Sequence, residues 1–316
     1  MKNKVIKIFG YLITIVAFVF LIKSIIEKHP DFSKITHPFA AVGLGLLITV
    51  MFVFIVYVSA YAWKSILEFI QGGKIHEPSL LSVYTKANIG KYLPGNFMHF
   101  AGRNVLAGKL GFTQLDIAFS TIIEIAVLFL TACFWSLLLA FQYFVKVARQ
   151  SLDLIASHKV ISAIAIIILV LAICGFLFLM FRKDSFRKYR RFLTRGFLFL
   201  VLKLFIIYSF TLLLPAVSFV VILPAVFGCS MTPYVFMLTT AAYVTSWVAG
   251  YMVPGAPGGI GVRESVLLLV LGASFPSDIL LIAIIFHRLL SVAGDGMAFL
   301  FDTLRNKVRK QQESKI

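Results

Sequence analysis

Residues 250–264 read GYMVPGAPGGIGVRE. Two prolines and five glycines lie between two strongly apolar segments, and an Arg-Glu pair closes the run. Proline removes an amide donor and glycine costs backbone entropy, so a regular helix does not continue through such a stretch. A chain otherwise suited to lipid interrupts itself here, and the fold turns on why.

The lipid character is compositional. Of 316 residues 60% are hydrophobic and 14% charged, with mean hydropathy +0.96; ordinary globular domains carry about a quarter charged residues. Apolar runs at 6–26, 39–62, 116–142, 160–181, 197–227 and 279–302 each reach the roughly 20 residues that cross a bilayer as a helix. The expectation is an all-α polytopic membrane protein with six full transmembrane helices. The first run follows Lys2, Lys4 and Lys7 but has no small-x-small cleavage site, so it is read as a retained span rather than a signal peptide. Cys133, Cys174 and Cys229 lack pairing or metal-ligand spacing. No metal or cofactor is expected, and the GG-x-G piece is no dinucleotide fingerprint because no βαβ unit surrounds it.

The formal net charge of +17 would suggest nucleic acid in a soluble protein. Here the basic residues sit between spans, so the positive-inside rule accounts for them and no nucleic acid partner is expected. With both termini inside, twenty-one Lys and Arg fall in cytoplasmic segments and seven outside. The expectation is a multi-pass cell-membrane protein with both ends cytoplasmic. A cluster from Arg182 to Arg195 would meet anionic lipid headgroups on that face.

The break at 250–264 has an earlier counterpart. Residues 90–103 read GKYLPGNFMHFAGR, so Gly90 aligns with Gly250, Pro94 with Pro254, Gly95 with Gly255 and Arg103 with Arg263, each pair 160 residues apart. Two broken regions, 78–110 and 234–274, therefore occupy matching places among the spans. Each half, residues 1–150 and residues 151–316, reads as two spans, a re-entrant broken pair and one more span. Three crossings per half turn the second copy upside down. Inverted repeats with paired interrupted helices are a transporter architecture, in which the breaks mark a substrate site near the midplane. A break frees N–H groups at the start of the next half-helix, where the positive dipole end favours an anion. The expected break or hinge residues are Gly90, Pro94, Gly95, Gly250, Pro254, Gly255, Pro257, Gly258 and Gly261.

KYLPGNFMHFAGR in the first half and PGAPGGIGVRES in the second resemble the lysylphosphatidylglycerol synthase transmembrane region, a flippase-like integral membrane family. The second motif, with Pro257, Gly258, Gly261, Arg263 and Glu264, is the more specific. The resemblance spans essentially the whole chain, and it implies movement of aminoacylated phosphatidylglycerol or of polyprenyl-linked lipids between leaflets. Members that synthesise the lipid carry a large soluble domain after the membrane part. Here Ile316 follows the last span by about a dozen residues, so aminoacyltransferase activity is not expected and the likeness is to the translocating part.

Arg103 and Arg263 are the first candidates for substrate binding, since a guanidinium presents a fork suited to phosphate; the other reading is a structural ion pair, with Glu264 beside Arg263. Glu124 lies well inside an apolar run, where it could balance Arg103, line a polar path or carry a proton. Asn96 and His99 sit in the first break and could meet a headgroup, or Asn96 could cap a half-helix. Arg288 and Asp295, seven apart on one helix face, are expected to form a structural ion pair. Lys203 is expected to snorkel toward the cytoplasmic surface. Together these point to a lipid translocase acting on an anionic membrane lipid. The alternatives are a membrane-embedded aminoacyl- or glycosyl-lipid transferase, or a scaffold partnering lipid-modifying or polysaccharide enzymes.

Overall fold

The computed structural model describes residues 32–76, 79–92, 98–155, 194–252, 257–259 and 261–313. The predicted spans 6–26 and 160–181 lie outside these residues, as do Pro94, Gly95, Asn96, Pro254 and Gly255. What is described is all-helical. Eight α-helices run α1 (Pro38–Gln71), α2 (Ser79–Asn88), α3 (Met98–Gly108), α4 (Gln114–Ile155), α5 (Arg195–Phe227), α6 (Pro233–Met252), α7 (Val262–Leu271) and α8 (Ser277–Glu313). One 3₁₀ turn, Ile89–Tyr92, follows α2, and another, Pro257–Gly259, precedes α7.

Four of these helices, α1, α4, α5 and α8, are long and apolar enough to cross a membrane, matching four of the six predicted spans. They run past the predicted ends. α1 continues nine residues beyond 62 to Gln71, aided by a Lys64–Glu68 pair at 3.7 Å one turn apart, and stops at Gly72, whose left-handed φ of 77° ends the helix. α5 starts at the Thr194 cap and runs through Pro215 and Pro224. Internal prolines are tolerated in membrane helices because neighbouring helices and side chains compensate for the missing amide. Phe39, Leu46, Leu47 and Val50 on α1, and Leu198, Phe199, Leu202 and Ile206 on α5, are exposed. In water such a surface would be a liability; in a bilayer it is the solvent-facing side.

Both broken regions are broken as expected, by helix, turn and helix. α2, α3 and α7 have 10, 11 and 10 residues, about 15 Å each and too short to cross. α6, at 20 residues, is the longer arm of the second pair.

The packing is reciprocal. The order of long helix, helix, turn, short helix, long helix occurs twice, so α1 corresponds to α5, α2 to α6, α3 to α7 and α4 to α8. α1 packs on α8 as α5 packs on α4, and α2 packs on α8 as α6 packs on α4. α1 also meets its own counterpart α5, and the two 3₁₀ turns meet each other. This exchange of partners is what a two-fold relation between halves produces. α1 and α5 run antiparallel: the Thr36 amide, just before α1, donates to the Val226 carbonyl near the end of α5 at 3.0 Å. At the other end Phe69 meets Phe197, with ring centroids 5.6 Å apart.

Close crossings depend on small residues, as usual between membrane helices. At Gly294 of α8 a Cβ would sit 2.9 Å from the Thr49 carbonyl oxygen of α1 and would strike Phe52. Gly294→Val is expected to cost about 1–3 kcal/mol by overpacking, read as a lowered thermal midpoint in detergent. An unchanged midpoint would show that the crossing yields.

Candidate functional site

The two breaks meet at a cavity of about 230 Å³ bounded by α1, both 3₁₀ turns, α2 to α8 and their side chains. The contact between turns is direct, since a Cβ on Gly258 would lie 3.4 Å from the Tyr92 ring. Of the predicted site residues, Arg103, Arg263, Glu264, His99 and Glu124 all line this one cavity, as do Arg288 and Asp295. Asn96 lies outside the described residues.

The glycines of the second break have a specific job. Arg263 lies along Gly250 and Gly259, where added Cβ atoms would fall 2.6 Å from its Cγ and 2.7 Å from its Nε. Gly258, Gly259 and Gly261 all have positive φ, which side chains resist. The break is thus a slot for an arginine as well as an end of helix. Gly90 serves a different contact: a Cβ there would fall 2.8 Å from the His99 amide nitrogen, so it lets the first turn fold back on α3. Glu264 accepts from the Gly261 amide at 2.6 Å, tying off an N–H at the start of α7.

Four cations and three carboxylates face the cavity. Arg103, 2% exposed, is paired with Glu124, 3% exposed. Glu124 also accepts from the Tyr84 hydroxyl at 3.1 Å, and the guanidinium lies among the rings of Tyr84, Phe100 and Trp63 at 4.6, 5.0 and 5.4 Å. Of the readings for Glu124, the structure selects the balancing of Arg103.

The expected Arg288–Asp295 pair is corrected. Arg288 instead donates to the Gly258 carbonyl and faces Glu264, Nε to Oε1, at 3.8 Å. Asp295 takes Lys91 at 2.7 Å, the Tyr92 hydroxyl at 2.5 Å and Asn88 at 2.8 Å. Sharing a face let both side chains reach inward, where each found a partner on a break rather than on its own helix. α8 therefore holds both breaks, the first through Asp295 and the second through Arg288. Glu264, expected as a headgroup contact or as the partner of Arg263, is committed to Arg288 and to the α7 cap. Lys203 bonds Tyr61 at 3.1 Å and Ser65 at 2.9 Å on α1.

That leaves Arg263. Among the described residues no carboxylate pairs with it within 4 Å, its buried Nε has no hydrogen-bond partner, and its guanidinium lies 5.4 Å from the Trp247 ring centroid. His99 Nδ1, the Tyr208 hydroxyl and Arg288 Nε, also on the cavity, are likewise buried without hydrogen-bond partners, as are polar atoms of Tyr57, Asn104 and Thr239 away from it. Buried polar atoms ordinarily find partners, and several on this cavity remain able to take one. Trp247 stacks on Tyr251 with centroids 5.0 Å apart and walls the space beside Arg263. Sequence reasoning did not single out Lys91, Tyr92, Tyr208, Trp247 and Tyr251. Within so apolar and aromatic a chain their types and spacing carry no distinguishing pattern.

No family model, curated protein or solved structure matches this chain.

Proposed function

We propose that this protein is a lipid translocase that holds an anionic headgroup in the cavity between its two breaks while the acyl or prenyl chains stay in the bilayer. The observation that carries the reading is the charge of the cavity: three of its cations have carboxylate partners, and Arg263 has none among the described residues. A buried unpaired cation is costly, and an anion bound there offsets the cost.

The architecture supports the same reading. Antiparallel counterpart helices, reciprocal packing and two breaks that touch support the reading of two inverted repeats, 1–150 and 151–316, with breaks that would meet near the midplane. Movement of one repeat against the other would open the cavity to each leaflet in turn. The resemblance of the two break motifs to the lysylphosphatidylglycerol synthase transmembrane region points to the same activity.

Reconstitution of the full chain in liposomes tests this, using fluorescent phosphatidylglycerol, phosphatidylcholine and a polyprenyl phosphate, each scored for leaflet exchange. Exchange of an anionic lipid above protein-free vesicles is expected. Rates equal to empty vesicles for every lipid would refute it.

A further inference from the structure

Each half brings a comparable set of side chains to the cavity. In the first, the Trp63 ring lies 6.0 Å from Tyr84, whose hydroxyl donates to Glu124, and Glu124 holds Arg103. In the second, the Phe219 ring lies 5.5 Å from Tyr243, whose hydroxyl reaches Nδ1 of His287 at 3.5 Å, and Arg263 lines the same cavity. The pairs Trp63/Phe219, Tyr84/Tyr243, Glu124/His287 and Arg103/Arg263 fall on corresponding helices, separated by 156 to 163 residues. The two sets agree in order, in helix and in aromatic character. They differ in charge at the third member, where an imidazole replaces a carboxylate.

An imidazole carries no negative charge in either of its ordinary protonation states. Nε2 of His287 meets the Ser218 hydroxyl at 2.9 Å, so both ring nitrogens face hydroxyls, and the residue is 4% exposed. Around it lie Phe52, Phe219 and Tyr243, with ring centroids 5.3 to 5.6 Å away. Packing fixes this ring on α8, the helix that corresponds to the one carrying the acid in the first half. Glu264, the nearest acid in sequence to Arg263, is turned to Arg288 and the Gly261 amide.

We propose that His287 keeps the second half-site open by withholding from Arg263 the carboxylate that Glu124 supplies to Arg103, so that the cavity takes up one unit of negative charge there, as on a phosphodiester headgroup. This rests on the reading of the cavity as a headgroup site and adds which half binds, how much charge it accepts and which residue determines it. Among the described residues, a ligand with a second ionised oxygen finds no second cavity cation lacking a carboxylate within 4 Å, since Arg103, Arg288 and Lys91 each have one.

Direct binding tests this without any transport step, so its outcome is independent of whether the protein moves lipid. The detergent-solubilised full chain is titrated calorimetrically with diheptanoyl phosphatidylglycerol, diheptanoyl phosphatidic acid and diheptanoyl glycerol. Wild type is expected to bind phosphatidylglycerol, to gain nothing from the second charge of phosphatidic acid, and to ignore the neutral lipid. His287→Glu supplies the missing carboxylate and is expected to weaken phosphatidylglycerol about tenfold or more, with a thermal midpoint at or above wild type, whereas His287→Gln keeps binding within about threefold. Glycerophosphoglycerol, the free headgroup, in a parallel titration separates a soluble ligand from a lipid: comparable affinity assigns the site to the headgroup alone, and much weaker affinity assigns it to the lipid. Unchanged binding in His287→Glu, or equal loss in both variants, overturns the proposal. Should His287→Glu fail to fold, a tenfold or greater wild-type preference for phosphatidic acid over phosphatidylglycerol overturns it on its own.

Discussion

Arg263→Gln is expected to abolish leaflet exchange while leaving the protein at least as thermostable as wild type. The two effects have one cause. Arg263 sits between Gly250 and Gly259 with a buried Nε that has no partner and no carboxylate within reach among the described residues. An arginine near the bilayer centre costs roughly 2.5–3.5 kcal/mol on insertion scales, and here little in the resting structure offsets that. The Trp247 ring at 5.4 Å returns only about 0.5–2 kcal/mol. Glutamine removes the charge and keeps a donor, so the fold loses a burden and the headgroup loses its cation. Charge-assisted hydrogen bonds to an oxyanion contribute about 1.5–3 kcal/mol each, so a forked contact puts the loss of binding on the order of a hundredfold. Thermal midpoints in detergent and exchange rates in liposomes read the two effects separately. Exchange within about twofold of wild type would remove Arg263 from the site. A collapse in stability would mean that its charge is structural after all.

The mirror-image substitution should behave in the opposite way. Glu124→Ala is expected to lower stability by about 3–5 kcal/mol, the usual result of leaving one partner of a buried ion pair uncompensated. Arg103 is 2% exposed and has Glu124 as its carboxylate partner. The three rings around the guanidinium cannot replace a full negative charge, and the Tyr84 hydroxyl loses its acceptor as well. A cycle of Glu124→Ala, Arg103→Met and the double variant gives the coupling. The double variant should recover much of the loss, since an apolar pair avoids burying an unbalanced ion. If Glu124→Ala melts with wild type, or the double variant is no better than the single, the pair does not hold the first half together. Two arginines at matching places in the sequence thus differ in kind: Arg103 has a buried carboxylate partner, and Arg263 has none among the described residues.

Much of this arrangement is legible before any coordinates. Apolar runs long enough to cross a bilayer announce helices because lipid leaves the backbone no other donor or acceptor than its own. Pro-Gly runs at 94–95 and 254–261 mark the breaks for the complementary reason, that neither residue sustains a helix. The recurrence of glycine, proline and arginine 160 residues apart points both arginines toward one place, and both line one cavity. All of that is local chemistry or repetition, which a linear chain carries on its face.

Partnership is not. Arg288 and Asp295 share a helix face, yet the choice between pairing with each other and reaching across to Glu264 and Lys91 belongs to the helices packed opposite, and no spacing along α8 encodes it. In the same way Arg103 and Arg263 read alike in their motifs. They differ because a carboxylate on α4 reaches one of them and the counterpart place on α8 holds a histidine. Charge balance inside a membrane protein is settled between elements distant in the chain. The residues state which charges are present, and only their packing decides which one is left without a partner.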